Sequence, residues 1–99
     1  MNIYDTRFLR KGKNSLSFLR AYERAEKALR TSAHCLNYDL SYCVKKPEHC
    51  ILRIEWDSLE GHMKGFRSSP EFQVFYGAAK PFFNDIEEMQ HYELTHIKK

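Results

Sequence analysis

Two stretches of alternating side chains in the middle of the chain constrain its fold more than any other feature. Apolar and polar residues alternate at every second position over residues 36–44 and again over residues 50–57. This period is typical of a β-strand with one buried face. Residues 45–48 between the stretches, Lys-Lys-Pro-Glu, predict a turn, because proline and charged residues interrupt regular structure. The segment therefore predicts an antiparallel hairpin.

The register of this hairpin follows from the side chains that must share a face. Tyr38 and Leu40 can be buried together with Ile54 only if even-numbered residues oppose even-numbered residues. A shift by one residue would move one whole apolar set to the other face of the sheet. In the predicted register, Cys43 and Cys50 lie on opposite faces, so we expect no disulfide between them.

The cysteines and the lack of long apolar runs indicate the subcellular location of the protein. The chain has 3 cysteines, an odd number without a C-x-x-C pair, which is normal in a reducing compartment. Cys43, His49 and Cys50 match no common zinc spacing, so we expect no metal site there. No run of residues resembles the apolar core of a signal peptide or a membrane span. We therefore expect a cytoplasmic protein without a membrane partner.

The segment before the hairpin predicts a strand and a helix. Residues 2–9 are rich in β-forming residues and predict a first strand that ends at a turn over residues 11–14. Apolar residues then recur at helical spacing from Phe18 to Leu29, with charged residues opposite them. This pattern predicts an amphipathic helix, for which Asn14 or Ser15 is placed as the N-cap.

The segment after the hairpin predicts a short helix. Residues 57–60, Asp-Ser-Leu-Glu, fit a capping box in which Asp57 caps the helix and Glu60 completes the box. The α-helical spacing places four residues on the inward face of this helix. They are Leu59, His62, Met63 and Phe66.

A second helix and a last strand complete the chain. Ser69, Pro70 and Glu71 form a typical helix start, with a capping serine, a proline in the first turn and an acid beside it. Pro81 either ends this helix or begins a short extension of it. Residues 86–94 predict the last strand.

The order of elements is strand, helix, strand, strand, broken helix, strand. A four-stranded antiparallel sheet with helices on one face, the α+β ferredoxin-like βαββαβ arrangement, satisfies this order with short connections. The length fits a single domain over residues 1–99. One face of such a sheet would be bare, and a homodimer whose second copy covers it is the simplest completion.

Composition narrows the classes of partner. The net charge of +3 is too small to indicate nucleic-acid binding. The third strand also lacks the basic-glycine-aromatic pattern of RNA-recognition motifs, which share this element order, so we expect no nucleic-acid partner. Aromatic residues make up 14% of the chain, and their rings either fill the core or line a binding site.

Three segments of the second half carry a recognisable fingerprint: residues 54–62 (Ile-Glu-Trp-Asp-Ser-Leu-Glu-Gly-His), 66–72 (Phe-Arg-Ser-Ser-Pro-Glu-Phe) and 91–93 (His-Tyr-Glu). Together they resemble the antibiotic biosynthesis monooxygenase (ABM) family. The resemblance implies a dimeric α+β barrel and the oxidation of a quinol, phenol or polyketide-like ring by O₂ without a cofactor. Other members degrade haem, but the helix that would supply their axial histidine has Tyr76 on its apolar stripe and no histidine.

The resemblance also implies two candidate catalytic residues. Cofactor-free oxygenation needs a dry aromatic pocket, removal of a proton from the substrate and polar groups that hold the resulting anion. His62 stands at the family's histidine position, and His91 lies on the last strand. Both titrate in the useful range. Either can instead be a structural histidine, His62 in the core and His91 at a dimer interface.

The candidate substrate-binding residues are aromatic. Trp56 would stack on a planar substrate, and Tyr38 would orient a substrate oxygen. The rings of the broken helix would form a wall, although a helical aromatic stripe also suits a closed core. The full set is Tyr38, Trp56, Phe66, Phe72, Phe75 and Tyr76.

Two functions stay open on the sequence alone. The first is a cofactor-independent monooxygenase that acts on a small aromatic substrate with O₂. The second is a catalytically inert dimeric module of the same fold, which binds a small molecule or serves a structural role. A pocket lined by His62, Trp56 and Tyr76 would favour the enzyme, whereas a core closed by its own rings would favour the module.

Overall fold

A computed structural model describes residues 2–10 and 15–99 of the chain. These residues form four strands and two α-helices: β1 (Ile3–Arg10), α1 (Ser15–Thr31), β2 (Cys35–Tyr42), β3 (His49–Trp56), α2 (Pro70–Ala79) and β4 (Ile86–Glu93). A π-helical segment (Gly61–Phe66) precedes α2, and a 3-10 helix (Lys80–Asp85) follows it. The predicted N-cap of α1, Asn14 or the Ser15 side chain, lies outside the described part, as does the turn predicted at residues 11–14.

The strands pair in the order β2-β3-β1-β4, and every pair is antiparallel. This order confirms the predicted α+β ferredoxin-like fold. In the hairpin, Tyr38 opposes Ile54 and Leu40 opposes Leu52, which confirms the even-to-even register. The register matters for the site because it sets which side chains of all four strands meet the helices.

The core lies between the helices and one face of the sheet, which we call the inner face. Leu52, Ile54 and Trp56 of β3 are buried there. Burial of such side chains contributes about 1.5–3 kcal/mol each, so this layer supplies most of the stabilisation. Helical residues cover it: Phe18, Ala25, Leu29, Phe66, Phe75 and Ala79.

The start of the short helix differs from the prediction. The Ser58 hydroxyl, and not the Asp57 carboxylate, caps this helix by accepting from the backbone N–H of Gly61 at 2.8 Å. Asp57 instead binds the His34 ring, with 2.9 Å between Asp57 Oδ2 and His34 Nδ1. The capping-box assignment was wrong because His34, which competes for Asp57, comes from a distant part of the chain.

The winding of this helix also differs from the prediction. Arg67 N–H donates to the carbonyl of His62, five residues back, which is the π-helical pattern. The wider turn separates residues that an α-helix would align. His62 and Phe66 are buried as predicted, whereas Leu59 and Met63 are exposed.

Two glycines let this π-helical segment lie against His34. A Cβ on Gly65 would overlap the His34 ring, and a Cβ on Gly61 would overlap the Asp57 carboxylate. A side chain at either position would push the segment away from the His34–Asp57 pair. The glycines therefore help to set where His62 points.

The second helix begins as predicted. The Ser69 hydroxyl accepts from the backbone N–H of Phe72 at 3.4 Å, and Pro70 occupies the first turn. Pro81 begins an extension, the 3-10 helix, which returns the chain to the sheet edge where β4 starts. This path lays α2 over β1 and β4.

Two further findings concern the cysteines and the length of the helices. In the hairpin, Cys43 is exposed while Cys50 is buried. Within residues 2–10 and 15–99, every helix is too short or too polar to cross a lipid bilayer.

Candidate active site

Strand β1 brings two charged side chains to the inner face. Asp5 opposes Ile54 and Arg7 opposes Leu52, so both point towards the helices, and both are buried. Arg7 donates from Nη2 to Asp5 Oδ2 at 3.1 Å. Burial of an unpaired charge is strongly unfavourable, so the two residues act as one unit.

His62 lies between Asp5 and His91. Its Nδ1 is 2.8 Å from His91 Nε2, which is a hydrogen bond, and its Nε2 is 3.7 Å from Asp5 Oδ2. Asp5 is 0% exposed and His62 is 1% exposed, while His91 on β4 is the most exposed of the three. The three groups form a chain that runs from the sheet edge into the core.

Aromatic rings hold His62 in this orientation. The Trp56 indole stacks on the His62 ring, with centroids 4.4 Å apart and planes 6° apart. Phe66 packs against Trp56 on the same side of the site, with centroids 4.8 Å apart. Trp56 and Phe66 thus form a layer behind His62 and fix the plane of its imidazole.

Burial determines the charge state of His62. It lowers the pKa of His62 from its ordinary value of 6.5 to about 4, and the nearby His91, Arg7 and Arg67 act in the same direction. Only the Asp5 carboxylate opposes this shift. His62 is therefore neutral at neutral pH, so one of its nitrogens donates a hydrogen bond and the other accepts one.

A cleft of about 420 Å³ opens between α2 and the inner face of β1 and β4. Its size lies in the lower part of the roughly 300–1,000 Å³ range of small-molecule sites. Three of the predicted substrate-binding residues share its wall, and two arginines contribute to it. The lining residues are Arg7, Arg67, Phe72, Phe75, Tyr76, Phe83, Ile86 and Met89.

His91 lies on the same face of β4 as Met89 of the cleft wall. Met89 opposes Arg7 and His91 opposes Asp5 across the β1–β4 pair, so all four side chains point to the inner face. Two residues along a strand are about 7 Å apart, so His91 is one pleat repeat beyond the Met89 wall. The histidine pair is thus next to the cleft.

The other predicted site residues occupy different places. Trp56, His62 and Phe66 are buried behind the cleft, and the cleft wall contains Tyr76 without Trp56 or His62. The predicted pocket, lined by all three of Trp56, His62 and Tyr76, thus differs from the cleft found. Tyr38 lines a separate groove of about 350 Å³ between α1 and the β2–β3 hairpin.

Asp5, His62 and His91 have the donor atoms of a metal site. One ligand atom from each lies within 4.8 Å of the other two, and two histidines with a carboxylate are known ligands of transition metals. In this arrangement, however, His62 faces Asp5 with Nε2 and His91 with Nδ1. One imidazole cannot direct both nitrogens at the same ion, so the geometry is that of a relay in which His62 is hydrogen-bonded to His91 and lies within ion-pair distance of Asp5.

Several buried polar atoms in this region have no hydrogen-bond partner among the described residues. They are Asp5 Oδ1, Arg7 Nε and Trp56 Nε1, together with the Tyr22 hydroxyl. Native proteins leave few such atoms unsatisfied, and each one calls for an explanation. Three of the four belong to the cluster around His62, which marks it as a candidate functional site.

Sequence reasoning did not find Asp5, Arg7 or Arg67. In β1, Tyr4 and Phe8 lie on one face while Asp5 and Arg7 lie on the other. The pattern therefore favours burial of Tyr4 and Phe8, whereas the structure buries Asp5 and Arg7. The sequence did contain one indication of this pair. Asp5 and Arg7 carry opposite charges and are two residues apart, so they lie on the same face of a strand. Arg67 carried no signal beyond its place in the family fingerprint.

Comparison with known proteins identifies the family. The family model for antibiotic biosynthesis monooxygenase matches residues 9–78. The chain belongs to the antibiotic biosynthesis monooxygenase family. Within the ABM family fold, the cleft beneath α2 and the relay of Asp5, His62 and His91 form the candidate site of this chain.

Solved structures share this ABM fold. A candidate antibiotic biosynthesis monooxygenase of Chloroflexus aurantiacus is 17% identical, with a TM-score of 0.76 over 100% of this chain and 98% of that chain. A similar candidate from Bordetella bronchiseptica is 19% identical, with a TM-score of 0.73 over 95% and 97% of the two chains. At these identities the likeness establishes the fold alone.

A curated relative matches part of the chain. The uncharacterized protein YczJ of Bacillus subtilis is 29% identical over 58 residues. The match covers 59% of this chain and 61% of that relative, or about three fifths of its length.

Proposed function

We propose that this protein is a monooxygenase that oxidises a small electron-rich aromatic compound, a quinol, phenol or polyketide-like ring, with O₂ and without a cofactor. The observation that carries the proposal is an aromatic-walled cleft next to a relay in which the accessible His91 is followed by the buried His62 and Asp5. A proton acceptor beside an apolar cleft is what deprotonation of a phenolic substrate requires.

The substrate itself can supply every electron that O₂ needs. When a phenol is oxidised to a quinone, one oxygen atom of O₂ becomes the new carbonyl and the other leaves as water. The ring loses two hydrogen atoms in this step, and no external reductant takes part. The protein therefore has to bind the ring, remove its hydroxyl proton and stabilise the electron-rich anion.

The geometry suggests a division of roles between the two histidines. His91 is next to the cleft and is accessible, so it is the catalytic residue that would accept the substrate proton. His62 is too deeply buried to touch a substrate in the cleft, so it is a positioning residue that orients His91 through their 2.8 Å hydrogen bond. Asp5 plays the same part for His62, although their 3.7 Å separation must shorten when the proton moves.

Aromatic residues have two roles in this proposal. Phe72, Phe75 and Tyr76 line the cleft and would contact the substrate ring. Trp56 and Phe66 would act from behind, by holding the plane of the His62 imidazole. Tyr38 would contact a ligand only in the separate groove beside α1.

Oxygen uptake with a panel of quinols and naphthols, without added metal or flavin, tests the function. We expect uptake by the wild type, and a loss of about 10²–10⁴-fold in His91→Gln, as is typical when a general base is removed. His62→Gln should also lower the rate and should shift its pH profile, because the partner of His91 has changed. His96→Gln, in the exposed C-terminal segment, is the matched control and should behave as the wild type.

Two results would argue against this mechanism. Unchanged oxygen uptake in His91→Gln would remove His91 from the chemistry. Binding of the aromatic compounds without oxygen uptake would favour the inert binding module of the same fold.

We further propose that residues 1–99 act as one domain and that a second copy covers the outer face of the sheet. Tyr4 opposes Tyr92 and Phe8 opposes Ile51 on this face, so apolar groups line it although no helix covers it. Ile51 and Tyr92 are exposed in the single chain. Pairing of the two sheets would form the α+β barrel typical of this fold.

Light scattering coupled to size exclusion measures this assembly. The expected mass is twice 11.8 kDa for the wild type and 11.8 kDa for Ile51→Arg, whose charge would lie inside the interface. Ile97→Arg, an exposed apolar residue outside the sheet, should stay dimeric. A monomeric wild type would contradict the proposal.

A further inference from the structure

The cleft beneath α2 has an unbalanced charge. Its lining combines aromatic and aliphatic side chains with two arginines, Arg7 and Arg67, and among the described residues no acidic side chain contributes to it. An apolar cleft strengthens electrostatic interactions because little water screens them. The charge of these arginines thus bears directly on what the cleft binds.

The two arginines differ in how their charge is compensated. Arg7 is buried, forms a salt bridge to Asp5 and lies 5.3 Å from the centre of the Phe75 ring. Its charge is matched inside the protein. Arg67 is exposed, and no salt bridge to it occurs within residues 2–10 and 15–99. Arg67 is therefore the cation of the cleft that has no internal counter-charge.

The backbone places Arg67 where a ligand in the cleft can reach it. Arg67 directly follows the π-helical segment, and its N–H is held by the His62 carbonyl at 3.2 Å. Its positive charge also contributes to the lowered pKa of His62. A bound anion would meet Arg67 on one side and the aromatic wall on the other.

A carboxylate is the group that suits this arrangement. The planar guanidinium binds a carboxylate through two parallel hydrogen bonds, which fixes the orientation of an attached ring. The ring could then lie against Phe72 and Tyr76, whose faces accept flat apolar surfaces. A neutral phenol of the same size would contact the same aromatic wall, but the Arg67 guanidinium would then be hydrogen-bonded only to water.

We infer that the cleft binds a planar aromatic carboxylate, with the carboxylate on Arg67 and the ring against the wall formed by Phe72, Phe75 and Tyr76. The inference rests on the proposed function only in taking the cleft as the substrate site. The compact volume of about 420 Å³ favours a small fused ring system over an extended polycycle. A hydroxylated naphthoate has this chemistry.

Anaerobic binding measurements test the inference without any turnover. The probes are 1-hydroxy-2-naphthoate and its neutral carboxamide, which have nearly the same shape. Titration calorimetry should give at least about tenfold tighter binding of the carboxylate, since a charge-assisted hydrogen bond contributes about 1.5–3 kcal/mol. The preference should fall as the salt concentration rises.

Variants of Arg67 test whether this residue causes the preference for the carboxylate over the carboxamide. Arg67→Gln should reduce it to about twofold or less, and Arg67→Lys should retain part of it, because lysine keeps the charge but loses the planar fork. Arg20→Gln removes an equally exposed arginine from α1 and should leave the preference unchanged. Thermal unfolding of each variant verifies that the fold is intact.

Three results would overturn the inference. They are equal affinities of the wild type for the two probes, no detectable binding of either probe, and a preference that survives Arg67→Gln. Failure of the proposed function is distinguishable, because it would appear as carboxylate binding without oxygen uptake. Conversely, oxygen uptake with neutral naphthols and no carboxylate preference would overturn this inference and leave the proposed function standing.

Discussion

The inner face of the sheet has two halves whose buried side chains are chemically opposite. Under α1, Leu52 and Ile54 of β3 meet apolar helical side chains. Under α2, the neighbouring strand presents Asp5 and Arg7 to His62. Burial of charged and polar groups opposes folding, whereas burial of apolar groups drives it. The α1 half therefore stabilises the fold, whereas the α2 half uses part of that stability to hold the buried polar cluster of Asp5, Arg7 and His62.

Removal of one partner in the α2 half should have the largest effect on stability. Arg7→Met leaves the buried Asp5 carboxylate without its cation and should lower the free energy of unfolding by roughly 3–5 kcal/mol. Ile54→Val, a small deletion in the α1 half, should cost only about 0.5–1.5 kcal/mol. Urea denaturation at pH 7 measures both.

A double variant separates the cost of an unpaired charge from the loss of packing. Asp5→Leu combined with Arg7→Met should recover most of the lost stability, because apolar replacement of a buried ion pair is often neutral or favourable. Its oxygen uptake should stay low, since the relay has lost Asp5. A double variant as unstable as Arg7→Met would show that the pair contributes through packing, and the contrast between the two halves would fail.

The second-largest effect should be a pH dependence of stability that comes from His62 in the α2 half. Unfolded His62 binds a proton below its ordinary pKa of 6.5, whereas folded His62 does so only near 4. Its contribution to stability is therefore complete above pH 6.5 and is lost as the pH falls towards 4. The loss should amount to up to about 3 kcal/mol.

Comparison of the wild type with His62→Gln isolates this contribution from the titration of carboxyl groups. The difference between their free energies of unfolding should change between pH 6.5 and pH 4 and should be constant above that window. Parallel profiles over the whole range would show that His62 is not buried in its neutral form.

The smallest effect concerns the segment that carries His62. Gly65→Ala should destabilise the protein by about 1–3 kcal/mol, because its Cβ would overlap the His34 ring. Gly77→Ala in α2 is the matched control, since nothing lies within 4 Å of its Cβ, and it should stabilise by about 0.5–1 kcal/mol.

A double-mutant cycle with His34→Ala tests the cause of the Gly65 effect. Removal of the His34 ring should relieve most of the cost of Gly65→Ala, which appears as a coupling energy between the two sites. Additive effects would place the strain elsewhere in the π-helical segment.

Local patterns predicted most of the fold. The hairpin register followed from the alternation around Tyr38 and Ile54, and the start of α2 followed from Ser69 and Pro70. Each of these features depends on residues that are close in sequence. Periodicity and capping are local effects, so a single sequence displays them directly.

Features that depend on distant contacts could not be predicted. Asp57 was expected to cap the short helix, but the ring of His34 binds it. His34 precedes β2 and Asp57 follows β3, so the contact exists only after the hairpin has formed. The π-helical winding, which exposes Met63 and buries His62, belongs to the same arrangement.

Local sequence patterns predicted the order of elements and the ferredoxin-like fold, and the family fingerprint singled out His62 and His91 as candidate catalytic residues. The pairing of β1 with β4 brings Asp5 and Arg7 to these histidines, and packing of the helices buries His62 behind His91. Within residues 2–10 and 15–99, the Arg67 guanidinium at the cleft has no salt bridge. The physical reason is that β1 and β4 lie at opposite ends of the chain, and their side chains meet only when the sheet aligns them.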